Sequence, residues 1–207
     1  MPPIPELEAI RKAQIIEAGM QAIARRGCAN VTMDDICKAA GLSKGGLAHY
    51  YRSKNELFKA VFTAFFEHIF QRGRETMALY DDPLDKLLSF DWLYDVDNPD
   101  MGTGYPLLFD FMAIAVHDNA YRDIFHSWIG SWVSLLSGAL QEGIDQGTFR
   151  GLDPLDTART ISAIYQGVAT RWFLDPRSHS REWAVVSFQK AICGLLAPYM
   201  TGRDKSQ

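Results

Sequence analysis

Apolar positions along the chain recur at steps of three and four. Ala158, Ile161, Tyr165, Val168 and Trp172 are spaced 3, 4, 3 and 4, and Trp128, Trp132, Leu135, Ala139 and Gly143 are spaced 4, 3, 4 and 4. Those steps follow the 3.6-residue helical turn, and no segment alternates polar and apolar residues between hairpin turns as a half-buried strand would. The pattern predicts an all-α chain. Start signals agree with it. Thr32-Met33-Asp34-Asp35 and Ser53-Lys54-Asn55-Glu56 read as capping boxes, in which a hydroxyl satisfies a free amide and an acid three residues on answers back. Asp82-Pro83 and Asp153-Pro154 each place a capping carboxylate before a proline at the first helical position. The predicted helices span residues 6–26, 33–40, 44–50, 53–78, 83–95, 105–117, 120–146, 154–174 and 180–199, with Pro99, Gly102, Gly104 and Pro106 marking one long loop.

Seams of this kind pack helices side by side at shallow angles. Each stripe can face the chain's own core. Leu136, Leu140, Ala163, Ile164 and Ala169 lie off the stripes, however, and are more than one face can bury internally. They leave a helix-pair surface for a second copy, so a homodimer is expected.

Residues 32–54 read as two short helices about a tight turn at Gly41, the arrangement of a helix-turn-helix. Ile36, Ala40, Leu42, Leu47 and Tyr51 can close a small core with Ile16, Met20 and Ile23. On the second short helix Leu47 and Tyr51 fall about 40° apart, with Gly45, Gly46 and His49 on the other side. Each glycine costs a helix about 1 kcal/mol relative to Ala. Two readings account for the pair: close approach of DNA to the backbone, or a loose first turn.

The net charge of −4 would by itself argue against nucleic acid, but the first 59 residues hold nine Lys and Arg against six acids, while the remainder holds 12 against 19. A basic head on an acidic body suits a chain of which only the head meets a polyanion. The 47% hydrophobic content is enough for a sizeable core. Cys28, Cys37 and Cys193 are widely spaced and include no CxxC, which argues against a disulfide framework or structural zinc and fits a reducing cytoplasm. Glu6 and Glu8 stand where a signal peptide needs basic residues. The longest apolar run, Phe111 to Val116, is far short of the roughly 20 residues a bilayer crossing requires, so no membrane partner is expected.

Thr32, Ile36, Ala40, Gly41, Ser43, Lys44, Gly45, Leu47, Tyr50, Tyr51, Ser53, Lys54, Glu56 and Leu57 together resemble the helix-turn-helix of the TetR/AcrR family of bacterial transcriptional regulators, over about residues 10–60. Glu142 to Arg150 and Asp153 to Pro176 resemble the ligand-binding and dimerisation half of its BetI-type members. The resemblance implies a three-helix DNA-binding domain over residues 1–52 and a larger helical ligand-binding and dimerisation domain over 53–207. It further implies a repressor that leaves a palindromic double-stranded operator when a small-molecule effector binds. By position, Thr32 and Lys54 would hold phosphates, and Lys44, Gly45, Gly46, His49 and Tyr50 would lie at the major groove. Thr32 suits this physically, because a helix N-terminus offers free amides to an anion. Ala48 stands where the family commonly has a phosphate-contacting tyrosine, and Gly46 where many members have Thr.

The rival class is an enzyme, or a helical small-molecule-binding protein whose helix-turn-helix has lost DNA binding. The five histidines are scattered, and no GxSxG, P-loop or GxGxxG occurs. No catalytic set, cofactor or metal site is expected. Trp92, Tyr105, Phe109, Asp110, Met112, Trp128 and Tyr165 are the candidates to line an effector cavity. Asp110 sits in an apolar run, either on a solvated face or as a buried ligand-binding carboxylate. With the acidic body, these aromatics suit a flat lipophilic ligand, either cationic or held in a wholly apolar cavity.

Overall fold

A computed structural model of the protein describes residues 5–201; residues 1–4 and 202–207, the outer ends of the two expected domains, lie outside the described residues. The described elements are α1 (Pro5–Arg26), α2 (Met33–Ala40), α3 (Lys44–Tyr50), α4 (Lys54–Met77), α5 (Pro83–Leu88), α6 (Pro99–Ala115), α7 (Asn119–Asp145), α8 (Pro154–Leu174) and α9 (Arg181–Leu196), with short 3₁₀ turns at Cys28–Asn30, Asp91–Tyr94 and Ala197–Tyr199. The all-α class holds. Among the described residues the extended pairing is one isolated antiparallel bridge, Phe149 with Met200.

The caps form as their chemistry dictates. Thr32 Oγ1 accepts the Asp35 amide at 3.2 Å while the Asp35 carboxylate accepts the Thr32 amide at 2.8 Å. Asp82 and Asp153 each accept two amides of the helix they start. At the head of α4, Ser53 Oγ accepts the Glu56 amide, but Glu56 reaches one residue further back than expected and takes the amide of Arg52.

Two expected boundaries change. The helix expected over 83–95 stops at Leu88 and resumes as the 3₁₀ turn from Asp91. The loop expected at Pro99, Gly102, Gly104 and Pro106 is instead the first half of α6. Pro99 starts that helix, where its missing amide costs nothing. Pro106 lies inside the helix, where its ring forfeits one backbone bond. Gly104 is a contact: a Cβ there would meet the Phe65 ring at 2.9 Å. Tertiary packing overrides breakers that local pattern reads as loop.

The helices form two compact units, one of residues through Ile69 with Pro99–Phe125, the other of Phe70–Asn98 with the residues from His126. In the first, α1 packs on α2 and on α6. Ile15, Ile23, Ile36 and Leu47 are essentially solvent-free and form the core of the head, Ile15 taking the inner place expected of Ile16. Phe111 centres a second cluster, its ring 5.0 Å from Phe62, 4.8 Å from Phe66 and 5.7 Å from Tyr121.

In the second unit α8 packs on α9, and the Asp91–Tyr94 turn packs against both. Tyr94 stacks on Phe188 at 5.2 Å, and Phe90 touches Trp92, Trp132 and Tyr165. The buried face of α8 runs Ala158, Ile161, Tyr165, Ala169, Trp172, so the stripe passes to Ala169 in place of Val168. Leu136 and Leu140, expected on a subunit surface, are fully buried in their own unit. The helical period of 3.6 drifts off a strict 3-4-3-4 stripe, which decides both results. Ala163 stays exposed and Ile164 half-exposed.

Candidate nucleic-acid interface

Gly41 makes the turn between α2 and α3 in the left-handed conformation, φ 64°, where a side chain would be strained. Leu42 then returns its amide to the Cys37 carbonyl at 2.9 Å, and Ser43 caps α3 by accepting the Gly46 amide at 3.1 Å. Leu47 and Tyr51 anchor α3 inward with 1% and 7% exposure. Lys44, Gly45, Ala48 and His49 are exposed, and Gly46 and Tyr50 half-exposed. The His49 ring sits edge-on to Tyr50 at 5.1 Å, and Lys44 Nζ pairs with Asp34 Oδ2 at 2.7 Å across the turn. Five of the residues expected at a DNA groove therefore share one short exposed helix.

The two glycines of α3 differ. A Cβ on Gly45 would meet nothing within 4 Å, whereas one on Gly46 would lie 3.3 Å from the capping Ser43 Oγ. Among the described residues nothing requires glycine at position 45. Gly45→Ala is expected to stabilise the free protein by about 0.5–1 kcal/mol, because Ala loses less entropy in a helix, while weakening DNA binding. Thermal unfolding and duplex titration of the same variant check this. Unchanged binding would return Gly45 to the reading of a loose first turn.

Thr32 and Lys54, expected at phosphates, each have partners within the chain. The Thr32 amide and hydroxyl are both spent on Asp35, whose carboxyl is held well below the usual carboxylate range first by the Thr32 hydroxyl, then by the Thr32 amide and by Arg26. Lys54 Nζ donates to the Cys28 carbonyl at 2.8 Å and lies 4.9 Å above the Phe58 ring. The Thr32 engagement is the capping box expected from the sequence, whereas the bond of Lys54 to Cys28 was not visible there, since Cys28 lies on another element.

The expected effector residues fall into both units. Tyr105, Phe109, Asp110 and Met112 lie on α6 in the first; Trp92, Trp128 and Tyr165 lie in the second. Tyr105 is buried, with its phenol raised by desolvation, and its ring is 6.2 Å from Phe109. Asp110 accepts the Cys28 amide at 2.6 Å. Tyr165 donates its hydroxyl to the Leu87 carbonyl. Trp92 lies under the Arg72 guanidinium at 4.3 Å. The indole N–H groups of Trp92 and Trp132 are buried with no acceptor among the described residues. Sequence reasoning passed over Arg72 and Phe90, for which only the tertiary neighbours give a signal. An open groove beside α1, lined by Ile10, Gln14, Glu17 and Ala39, includes none of the expected effector residues. No three His, Cys, Asp or Glu side chains converge on a metal position among the described residues. No helix among them is long and apolar enough to cross a membrane.

A helix-turn-helix of this geometry, α2 and α3 turned about Gly41 and α2 packed on α1, defines a DNA-binding regulator. The sequence pattern of the bacterial regulatory proteins of the tetR family matches residues 15–61, and that of the BetI-type transcriptional repressor C-terminal region matches residues 104–196. The chain belongs to the TetR family of transcriptional regulators. That family is made up of regulators, and control by a ligand is typical of it. The HTH-type transcriptional regulator BetI of Stenotrophomonas maltophilia is 34% identical over 117 residues, 54% of this chain and 57% of its own length. A TetR-family regulator from Rhodococcus sp. superposes with a TM-score of 0.75 at 27% identity, covering 90% of this chain and 98% of the other. A transcriptional regulator from Saccharomonospora viridis, solved in complex with choline, shares the fold with a TM-score of 0.78 at 18% identity over 94% and 100% of the two chains.

Proposed function

We propose that this regulator is a cytoplasmic homodimeric repressor that binds a palindromic double-stranded operator through α3 and is released by a small-molecule effector. The carrying observation is the exposed face of α3, where Lys44, Gly45, Gly46, His49 and Tyr50 stand together with Gly45 open to approach. The first turn of α2 reaches that face through the pair of Asp34 with Lys44. Two copies must place their α3 helices about 34 Å apart to enter successive major grooves, so a two-fold protein needs a two-fold site. The apolar residues left outside on α8 and α9, Leu174 at 63% exposure and Val186 at 59%, with Ala163 and Ile164, support a second copy as the occupant of that surface.

Selection of bound fragments from genomic DNA, followed by duplex titration at several salt concentrations, tests the reading. A palindrome bound below micromolar with steep salt dependence is the expected result. Lys44→Ala should weaken binding to all sequences and lower the salt slope by about one unit, the mark of a lost phosphate contact. Sequence-indifferent binding throughout would sink the proposal.

For the effector, the surroundings of Trp92 and Trp132 favour a flat apolar molecule bearing acceptor oxygens over a cation. Two buried indole donors want acceptors. The guanidinium of Arg72 lies 4.3 Å over Trp92, and Asp110, the acid expected to pair with a cation, is engaged by Cys28.

A further inference from the structure

We infer that Asp110 of α6 is a positioning residue for DNA binding, acting through the backbone of Cys28 to set the turn by which α1 hands the chain to α2 and α3. The inference rests on the DNA-binding reading of α3. Its basis is a hydrogen-bond arrangement that spans the sequence.

Gly27 leaves α1 at φ 77°, and its own amide closes the last turn onto the Ile23 carbonyl at 2.8 Å. The next amide, that of Cys28, opens the Cys28–Asn30 3₁₀ turn and so has no acceptor within it, and Cys28 is 8% exposed. A buried amide needs an acceptor. It finds one 82 residues away, the Asp110 carboxylate at 2.6 Å. The carbonyl of the same residue takes the Lys54 ammonium at 2.8 Å. Both backbone poles of Cys28 are thus held by side chains, one from α6 and one from the first residue of α4. The thiol is pushed up to about 12, by burial first and the Asp110 carboxylate second, so it stays protonated.

The outer side of the same turn is closed independently. Arg26 donates to the Asn30 carbonyl at 3.0 Å, Asn30 Nδ2 returns to the Arg26 carbonyl at 2.8 Å, and Arg26 pairs with Asp35 at 2.7 Å. Asp35 is the residue that caps α2 with Thr32. A chain of direct contacts therefore runs from Asp110 through the Cys28–Asn30 turn to the start of α2, and through Gly41 to α3. Tyr121 of α7 adds a bond from its hydroxyl to Asn55 Oδ1 at 2.7 Å, next to Lys54. Lys54 belongs to this arrangement by its bond to the Cys28 carbonyl.

Removing Asp110 strands the Cys28 amide and frees the turn without touching any DNA-facing side chain. Asp110→Ala should bind the selected operator about tenfold more weakly, with an unchanged salt slope and unchanged affinity for random-sequence duplex. Amide hydrogen exchange in residues 26–32 should speed up in the free protein. Asp110→Asn keeps an acceptor for the amide and should restore most of the affinity and the slow exchange; it also serves where the Ala variant loses helical content. Lys54→Ala combined with Asp110→Ala should cost less than the two single losses added, because both act on one residue. Operator affinity and exchange at wild-type values in Asp110→Ala would overturn the inference. A Lys54→Ala variant with normal exchange and a salt slope lower by one would return Lys54 to phosphate binding and remove it from the arrangement. The exchange measurement needs no DNA, so a wild-type protein that bound no palindrome would defeat the DNA-binding reading and leave the effect of Asp110 on the turn to be read separately.

Discussion

Phe111→Ala is expected to cost about 3–5 kcal/mol of unfolding free energy, the range for truncating a fully enclosed aromatic. Phe111 is 0% exposed and its ring meets Phe62, Phe66 and Tyr121 within 6 Å, with Phe125 at 6.1 Å. Four large rings from α4 and α7 surround the position, Phe62 and Phe66 edge-on to it, so truncation carries both transfer and cavity costs. Urea unfolding followed by circular dichroism measures the change. A loss under 1 kcal/mol would mean the cluster relaxes around the gap. Phe111 adjoins Asp110 on α6, so DNA binding should fail at a lower denaturant concentration than the helical signal does.

His49→Ala is expected to remove about 1–3 kcal/mol of discrimination at one or two base pairs per half-site, the usual worth of a direct base contact. Its neighbours on α3 give it that weight. Gly45 and Gly46 offer only backbone, Ala48 a methyl group, and Lys44 is drawn toward Asp34 at 2.7 Å in the free protein. His49 and Tyr50 are the side chains left to read bases, and His49 is the more exposed. Titrating wild type and variant against single-base operator variants checks it. If every duplex weakens by the same factor, the ring positions α3 and Tyr50 does the reading.

The sequence by itself determined the local architecture. Helical period, capping residues and the two capping Asp-Pro pairs located α1, α2, α3, α4, α7, α8 and α9 to within about three residues, and the start of α5, because caps and turns depend on neighbours three or four positions away. Gly41 as the pivot and the inward place of Leu47 and Tyr51 follow from the same short-range rules. The family pattern was legible in the same stretch, where spacing and chemistry are both local.

Only the tertiary structure decided the rest. Pro99, Gly102, Gly104 and Pro106 became helix because Phe65 fills the space that Gly104 leaves, a contact between residues far apart in sequence. Leu136 and Leu140 went inward because the helix drifts by about 20° for each heptad, and which side wins is set by the partner it meets. Asp110 could be read in sequence as a solvated or a ligand-binding acid; its partner is a backbone amide 82 residues away. Backbone donors carry no mark in a sequence, since every residue but proline has one, and which of them is left over at the end of a helix depends on where that helix stops and what packs against it.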